Sequence, residues 1–367
     1  MHRWLSQEGA IADSKWVSAM QGSTGNEDLT HRQHTLLLAT VQEFIATAEP
    51  VGSHQLAAHH QLGVRAAMVR NLMAELEQAG FLSQPHTSAG RVPTDKAFRY
   101  YVDHLEPSSP IAFQDRTQIE LHYSARAGDI GETIRDTSRL LALMTGHSAV
   151  VMAPRLESTL IVRVQFLRLR EREALAVFVA VAGAVQSRLI HTDQDYTQAE
   201  LDRMSSYLNE FVSGRMLLQA RAWIEEQLKE DRANYDRFVR AALTLAGSLT
   251  RTSTPAEVYV EGSTKAFDQP EFADPGRLRE LLRALEDKTA LLDLLERSFK
   301  QNGLTVSIGS ENFDMRLSGL SVVAASYASG VLPIGSLAVV GPVRMHYERI
   351  IPLVSYTARK LSRVLEH

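Results

Sequence analysis

Arg70 and Asn71 stand side by side, and their side chains are the two best suited to reading base edges. A guanidinium can span guanine and a carboxamide can span adenine, each with two hydrogen bonds. About one turn earlier come Arg65, Ala66 and Met68, the last carrying a thioether that suits a thymine methyl. Downstream, His86, Thr87 and Ser88 can donate to phosphate, and Arg91 offers a phosphate or minor-groove contact. Ser53, through its hydroxyl or the amides that follow it, can meet another phosphate. Each residue also has a plainer use. Arg70 can pair with Glu75 or Glu77, Asn71 can hold a turn, Thr87 and Ser88 can build their own loop, and Ser53 can cap a helix.

Other chemistries are poorly served. The absence of cysteine excludes disulfides, thiolate nucleophiles, iron–sulfur clusters and cysteine-ligated zinc. Seven of the 13 histidines (His31, His34, His54, His59, His60, His86 and His104) fall within 29–105. None of them forms the i, i+4 pair of a helical metal site, so they read as solvated or DNA-facing. Asp193, Asp195, Asp231 and Asp236 read as charges flanking helices. Gly309, Gly319, Gly330, Gly335 and Gly341 match neither a P-loop nor a dinucleotide fingerprint and read as turns. With no nucleophile, base and orienting group assembled, the expectation is a non-enzyme without metal or cofactor. The longest strictly apolar run, Ala174 to Val185, has 12 residues, short of the roughly 20 a membrane helix needs. No membrane partner is expected, and a cytoplasmic location is.

Three helices and a ribbon must position residues 53–91. Thr30 can cap a helix from about His31 to Ala48, with Leu37, Leu38, Val41, Phe44 and Ile45 at spacings of three and four. Glu49 to Gly52 breaks it, and Ser53 caps a short helix to about His60. Leu62-Gly63-Val64 is a tight turn before a third helix, about Arg65 to Ala79, whose inner face is Val69, Leu72, Met73 and Leu76. A strand near Phe81, a polar loop from His86 to Arg91 and a return at Val92 form a wing, followed by a helix capped by Thr94. This order is that of a winged helix-turn-helix, which reads bases chiefly with the N-terminal residues of its third helix.

Beyond a linker at 106–114 the chain turns to mixed α/β. Its parse is a strand-rich body, 115–190 and 256–367, interrupted by helices at 191–255, so the fold class is α+β and multidomain. Residues 1–28 read as a disordered, dispensable lead-in. The chain carries 39 Lys and Arg against 43 Asp and Glu, net −4, and segment 29–105 holds six of each. Such a block has modest affinity for DNA in general and depends on specific contacts.

Particular stretches carry a family resemblance. They are Glu49-Pro50-Val51-Gly52-Ser53, Leu62-Gly63-Val64, Arg70-Asn71 with Leu76-Glu77, and the long run Gln84 to Lys96 with Arg99 to Asp103. Asp268 to Phe272, Ile334-Gly335 to Gly341-Pro342 and Arg344-Met345 extend it. Together they resemble the bacterial heat-inducible transcription repressors of the HrcA family. The resemblance implies a homodimer on double-stranded DNA at the inverted-repeat operator CIRCE, ahead of chaperone operons, with the chaperonin GroEL promoting the active form. It also implies a GAF-like body carrying an inserted dimerisation domain. Within the helices at 191–255, Met204, Leu208, Phe211, Leu217, Leu218 and Trp223 are then the expected dimer contacts. The chain departs from the family at Arg65, commonly a small hydroxylated residue, and at Met68, often Thr. Loss of that hydroxyl cap costs the third helix about 1 kcal/mol. The competing reading is a metabolite-responsive regulator with an effector site in the GAF-like body.

Overall fold

The computed structural model describes residues 29–366 except 61–64, 87–89, 106–109, 125–129, 155–159, 181–184, 230–236, 251–256, 302, 313–318 and 331. The lead-in 1–28, the turn Leu62–Val64 and the loop residues Thr87 and Ser88 therefore lie outside the described residues.

The N-terminal block opens with α1 (His31–Thr47), α2 (Ser53–His59) and α3 (Ala66–Gln78). Thr30 caps α1 as its sequence position predicts, in a reciprocal capping box with Gln33. The helix stops where Ala48 turns left-handed, at φ 59°. Ser53 is the first residue of α2 rather than its cap, a place taken by Gly52 without a side-chain bond. Arg65 stands at the N-cap of α3 and likewise makes no side-chain cap bond, as the missing hydroxyl predicts. β1 (Leu82–Ser83) and β2 (Val92–Pro93) pair antiparallel. Val51 and Arg91 exchange two backbone hydrogen bonds of 2.9 Å, tying this ribbon to the segment after α1. Gly90 is needed there, because a Cβ would sit 2.5 Å from the Val51 carbonyl oxygen. Thr94 precedes α4 (Asp95–Asp103), yet its hydroxyl donates to Gly80 and Phe81 carbonyls instead of capping the helix.

The body follows: α5 (Phe113–Ser124), α6 (Ile130–Thr145), β3 (Ser148–Met152), β4 (Ile161–Arg170), β5 (Glu173–Ala180), β6 (Val185–His191), α7 (Gln198–Val212), α8 (Leu217–Lys229) and α9 (Arg237–Thr250). Then come β7 (Val258–Glu261), two short 3-10 turns, α10 (Pro275–Glu286), α11 (Lys288–Gln301), β8 (Leu304–Ile308), β9 (Leu320–Ser329), β10 (Leu332–Pro342) and α12 (Tyr347–Leu365). The sequence pattern around Pro275–Arg297 predicts one helix. Asp287 splits it, its carboxylate accepting the amides of Thr289 and Ala290 to start a new helix.

Five strands form one antiparallel sheet in the order β7-β3-β10-β9-β8. Alternation along its strands serves two cores. Val151, Val323, Ala325 and Val339 face a cluster that includes Leu141 of α6 and Leu353 and Leu361 of α12. Val150, Val322, Ala324 and Val340 face Leu281, Leu285, Leu291 and Leu295 of α10 and α11. The first cluster runs on without a break into the N-terminal block, through Leu37, Val41, Phe98, Tyr101 and Val102.

The sequence parse placed 161–190 with the body. The structure instead gives β4, β5 and β6 a sheet of their own, whose inner residues Val164, Phe166, Ala176 and Phe178 share a core with Leu201, Met204 and Leu208 of α7 and with α8 and α9. The unit interrupting the five-stranded sheet therefore takes in 161–250, because these strands pair with one another and, at Ile161, with the backbone of Gly214 and Arg215 between α7 and α8.

Candidate nucleic-acid interface

Helix α3 divides cleanly. Val69, Met73 and Leu76 are buried and fix the helix on the block, while Arg65, Ala67, Arg70 and Asn71 are exposed and Ala66 is half-buried. Spacings of three and four put Ala67, Arg70 and Asn71 on one side, so one small residue and two long polar side chains share the outward face. Met68, 42% exposed, lies at the margin of the buried stripe. Arg70 makes no ion pair with a described residue: Glu75 accepts from Gln33 and Glu77 is taken by Arg91.

Arg91 is not the open cation the sequence suggested. Its Nε and Nη2 both lie 2.8 Å from a Glu77 carboxylate oxygen, with the Arg91 side chain only 16% exposed. It fastens the ribbon to α3. Lys96 is similarly engaged, donating to the Ala79 carbonyl at 2.9 Å and lying over the Phe81 ring. His86 is exposed, and Ser53 is half-buried at the start of α2.

Sequence reading missed the group that sets α2 on α1. Glu43 is buried on α1 and accepts from Gln55 at 2.6 Å, His59 at 3.1 Å and His60 at 3.0 Å. Burial alone pushes its carboxyl up, but hydrogen bonds from His60, His59 and Gln55 hold it below the usual range. His60, half-buried, and His59, still 60% exposed, thus have a structural partner in Glu43 that the sequence did not suggest. His34 is also tied down, 2.9 Å from the Tyr100 hydroxyl, and His104 stacks on Tyr100. Burial, with neighbouring His104 and His31, lowers the His34 pKa. Among the described residues no three His, Asp or Glu side chains are grouped to hold a metal ion.

The expected dimer contacts separate. Met204 and Leu208 are 1% and 0% exposed and point into the core under β4, so they are not free to meet a partner. Phe211 and Trp223 stack at 4.8 Å and remain half-buried, while Leu217 and Leu218 begin α8 with side chains outside the description. An exposed apolar patch in this unit lies instead on the outer face of β4–β6. Leu167, Leu175 and Leu189 are aligned across the three strands, with Val179 beside Val185. Leu167, Leu189 and Val185 are 37%, 46% and 62% exposed.

Comparison with known proteins completes the assignment. The family model "HrcA protein C terminal domain" matches residues 131–351. A heat-inducible transcription repressor HrcA of Geobacter sulfurreducens is 41% identical over 339 residues, covering 92% of this chain and 99% of its own. The protein of the same name from Sorangium cellulosum is 37% identical over 92% of this chain and 98% of its own. A crystal structure of a hypothetical protein is similar over 92% of this chain and 99% of that one, at 26% identity and TM-score 0.61. The class is thereby a transcriptional regulator and not an enzyme. The chain belongs to the HrcA family of heat-inducible transcription repressors. Among the described residues no helix is long and apolar enough to cross a membrane.

Proposed function

We propose that this protein represses heat-shock chaperone operons by binding, as a homodimer, an inverted-repeat operator of the CIRCE type, and that GroEL maintains its binding-competent form. The observation that carries the reading is the outward face of α3, with Arg70 and Asn71 exposed beside a ribbon braced by Arg91, in a chain that matches named repressors over nearly their whole length. Residues 29–105 act as a winged helix-turn-helix, the five-stranded body as a GAF-like support, and 161–250 as the inserted dimerising unit. In the dimer, the apolar outer face of β4–β6 with Phe211 and Trp223 meets its symmetry mate, so that two α3 helices address two half-sites of a symmetric site. Arg65, Ala66 and Met68 flank the groove contacts, and Ser53, His86, Thr87 and Ser88 serve phosphates. Heat diverts the chaperonin to unfolded proteins, the competent population shrinks, and repression lapses.

A gel shift tests this with the intact repeat and a repeat with one half-site scrambled, each with and without chaperonin. Strong preference for the intact repeat, increased by chaperonin, is expected. Equal binding to both DNAs would sink the reading.

A further inference from the structure

Two stretches of the family resemblance, Asp268–Phe272 and Arg344–Met345, take no part in the recognition surface. The structure brings them together where the N-terminal block meets the body. Glu271 sits in the 3-10 turn Pro270–Phe272, and Arg344 lies in the loop between β10 and α12. The Arg344 Nε and Nη2 donate to the two carboxylate oxygens of Glu271, the second at 3.3 Å, and Nη1 donates to the Ile45 carbonyl oxygen at 2.7 Å. The arginine is only 11% exposed. Ile45 belongs to α1, the helix against which α2 and α3 are set. One planar fork thus joins two separate parts of the body to the backbone of the reading block, a job its fixed donor geometry suits and a lysine ammonium does not.

The surrounding contacts make this joint stiff. Gln42 of α1 and Tyr101 of α4 both donate to Glu348 of α12, at 3.2 and 2.6 Å. Phe98 and Tyr347 pack ring to ring at 6.3 Å, both buried. At the far edge Asp95 accepts the Ser310 amide at 2.8 Å, and Arg99 donates to the Val306 carbonyl at 3.2 Å. Polar ties on both sides of an apolar contact oppose sliding and rotation alike.

We propose that Arg344, held by Glu271, is a positioning residue for operator recognition: it fixes the angle at which the α3 face is carried, and so the half-site separation that a pair of chains can span. This rests on the dimeric operator reading above. Two heads reach both half-sites together only if their separation matches the DNA repeat. Letting each head swing lowers the effective concentration of the second contact without altering the first.

The test uses the full chain and its variants Arg344→Gln, Arg344→Lys and Glu271→Gln, with melting temperature as the fold check. Each is titrated against a single half-site, the intact repeat, and a repeat whose spacer is longer by about half a helical turn. Arg344→Gln is expected to match wild type on the half-site, to bind the intact repeat about tenfold more weakly, and to lose discrimination between the spacings. Arg344→Lys, charged but without the fork, should resemble it, and Glu271→Gln should shift the same way. A folded variant that keeps the wild-type preference between spacings overturns the inference, as does one whose half-site binding falls as much as its repeat binding. Should Arg344→Gln fail to fold, Glu271→Gln decides the matter, since it leaves the bond to Ile45 in place. Failure of wild type to tell an intact repeat from a scrambled one strikes the operator reading itself, and is seen without any variant.

Discussion

At the scale of single residues, what matters is which charged groups face out and which are already engaged. Arg70 and Asn71 are exposed and unencumbered by Glu75 or Glu77. Arg70→Ala and Asn71→Ala are therefore expected to cost about 1–3 kcal/mol of specific binding each and to relax base preference, read by competition with substituted operators. Arg91 behaves differently. A phosphate ligand would remove about 0.9 from the salt slope on mutation to alanine, but the Arg91 charge is taken by Glu77. Arg91→Ala should weaken binding with the slope unchanged, because it frees the ribbon rather than losing a counterion. Another residue sets an acid limit. His147 is buried, and burial, then the positive neighbours His346 and Arg344, bring its pKa down to about 4. An unfolded chain takes up this proton near pH 6.5, at about the ordinary histidine value, and the folded one does not until near pH 4. Stability from this group is thus complete above about 6.5 and drains away as pH falls to about 4, on the order of 3 kcal/mol in all. Denaturant midpoints at neutral and mildly acid pH should show the decline, and His147→Gln should flatten it. Pairings of this kind were invisible in the sequence. Glu43 meets His59 and His60 from 16 and 17 positions away, and Glu77 meets Arg91 across 14, on other elements.

At the scale of elements, local patterns were readable and long-range ones were not. The Thr30 cap and the helical spacing through Leu37, Val41 and Ile45 placed α1 correctly, since both signals lie within a few residues of what they control. The apolar stretch from Ala174, too short to cross a membrane, reads as a buried strand or hairpin, but nothing within it names its neighbours. Membership of the three-stranded sheet depends on pairings such as Leu175 with Leu189, which no local pattern states. The same blindness sent Met204 and Leu208 to a dimer contact, when their helical stripe is the one that covers Val164 and Phe166. At the element level the ribbon is the sensitive part. In Gly90→Ala the new methyl would meet the Val51 carbonyl, so the ribbon must shift off its backbone bridge. We expect weaker operator binding with the five-stranded body intact, checked by gel shift beside hydrogen exchange of the β9 and β10 amides.

At the scale of the whole molecule, the apolar cluster continuous from Leu37 and Phe98 to Val323 and Leu353 makes the N-terminal block and the five-stranded body a single cooperative unit. Amides of α1 and of β9 should exchange with the same opening free energy. The inserted unit has its own core, and its amides should open separately. If α1 exchanges far faster than β9, the block is coupled more loosely than its packing requires.

One consequence concerns time. Of the six cations in 29–105, Arg91, Lys96 and Arg99 are engaged within the protein, leaving Arg32, Arg65 and Arg70 exposed. A surface with so few counterions to release leaves random DNA quickly. On the proposed operator reading, copies are then not stored along the chromosome, and occupancy is expected to follow the pool of competent protein promptly as that pool empties or refills.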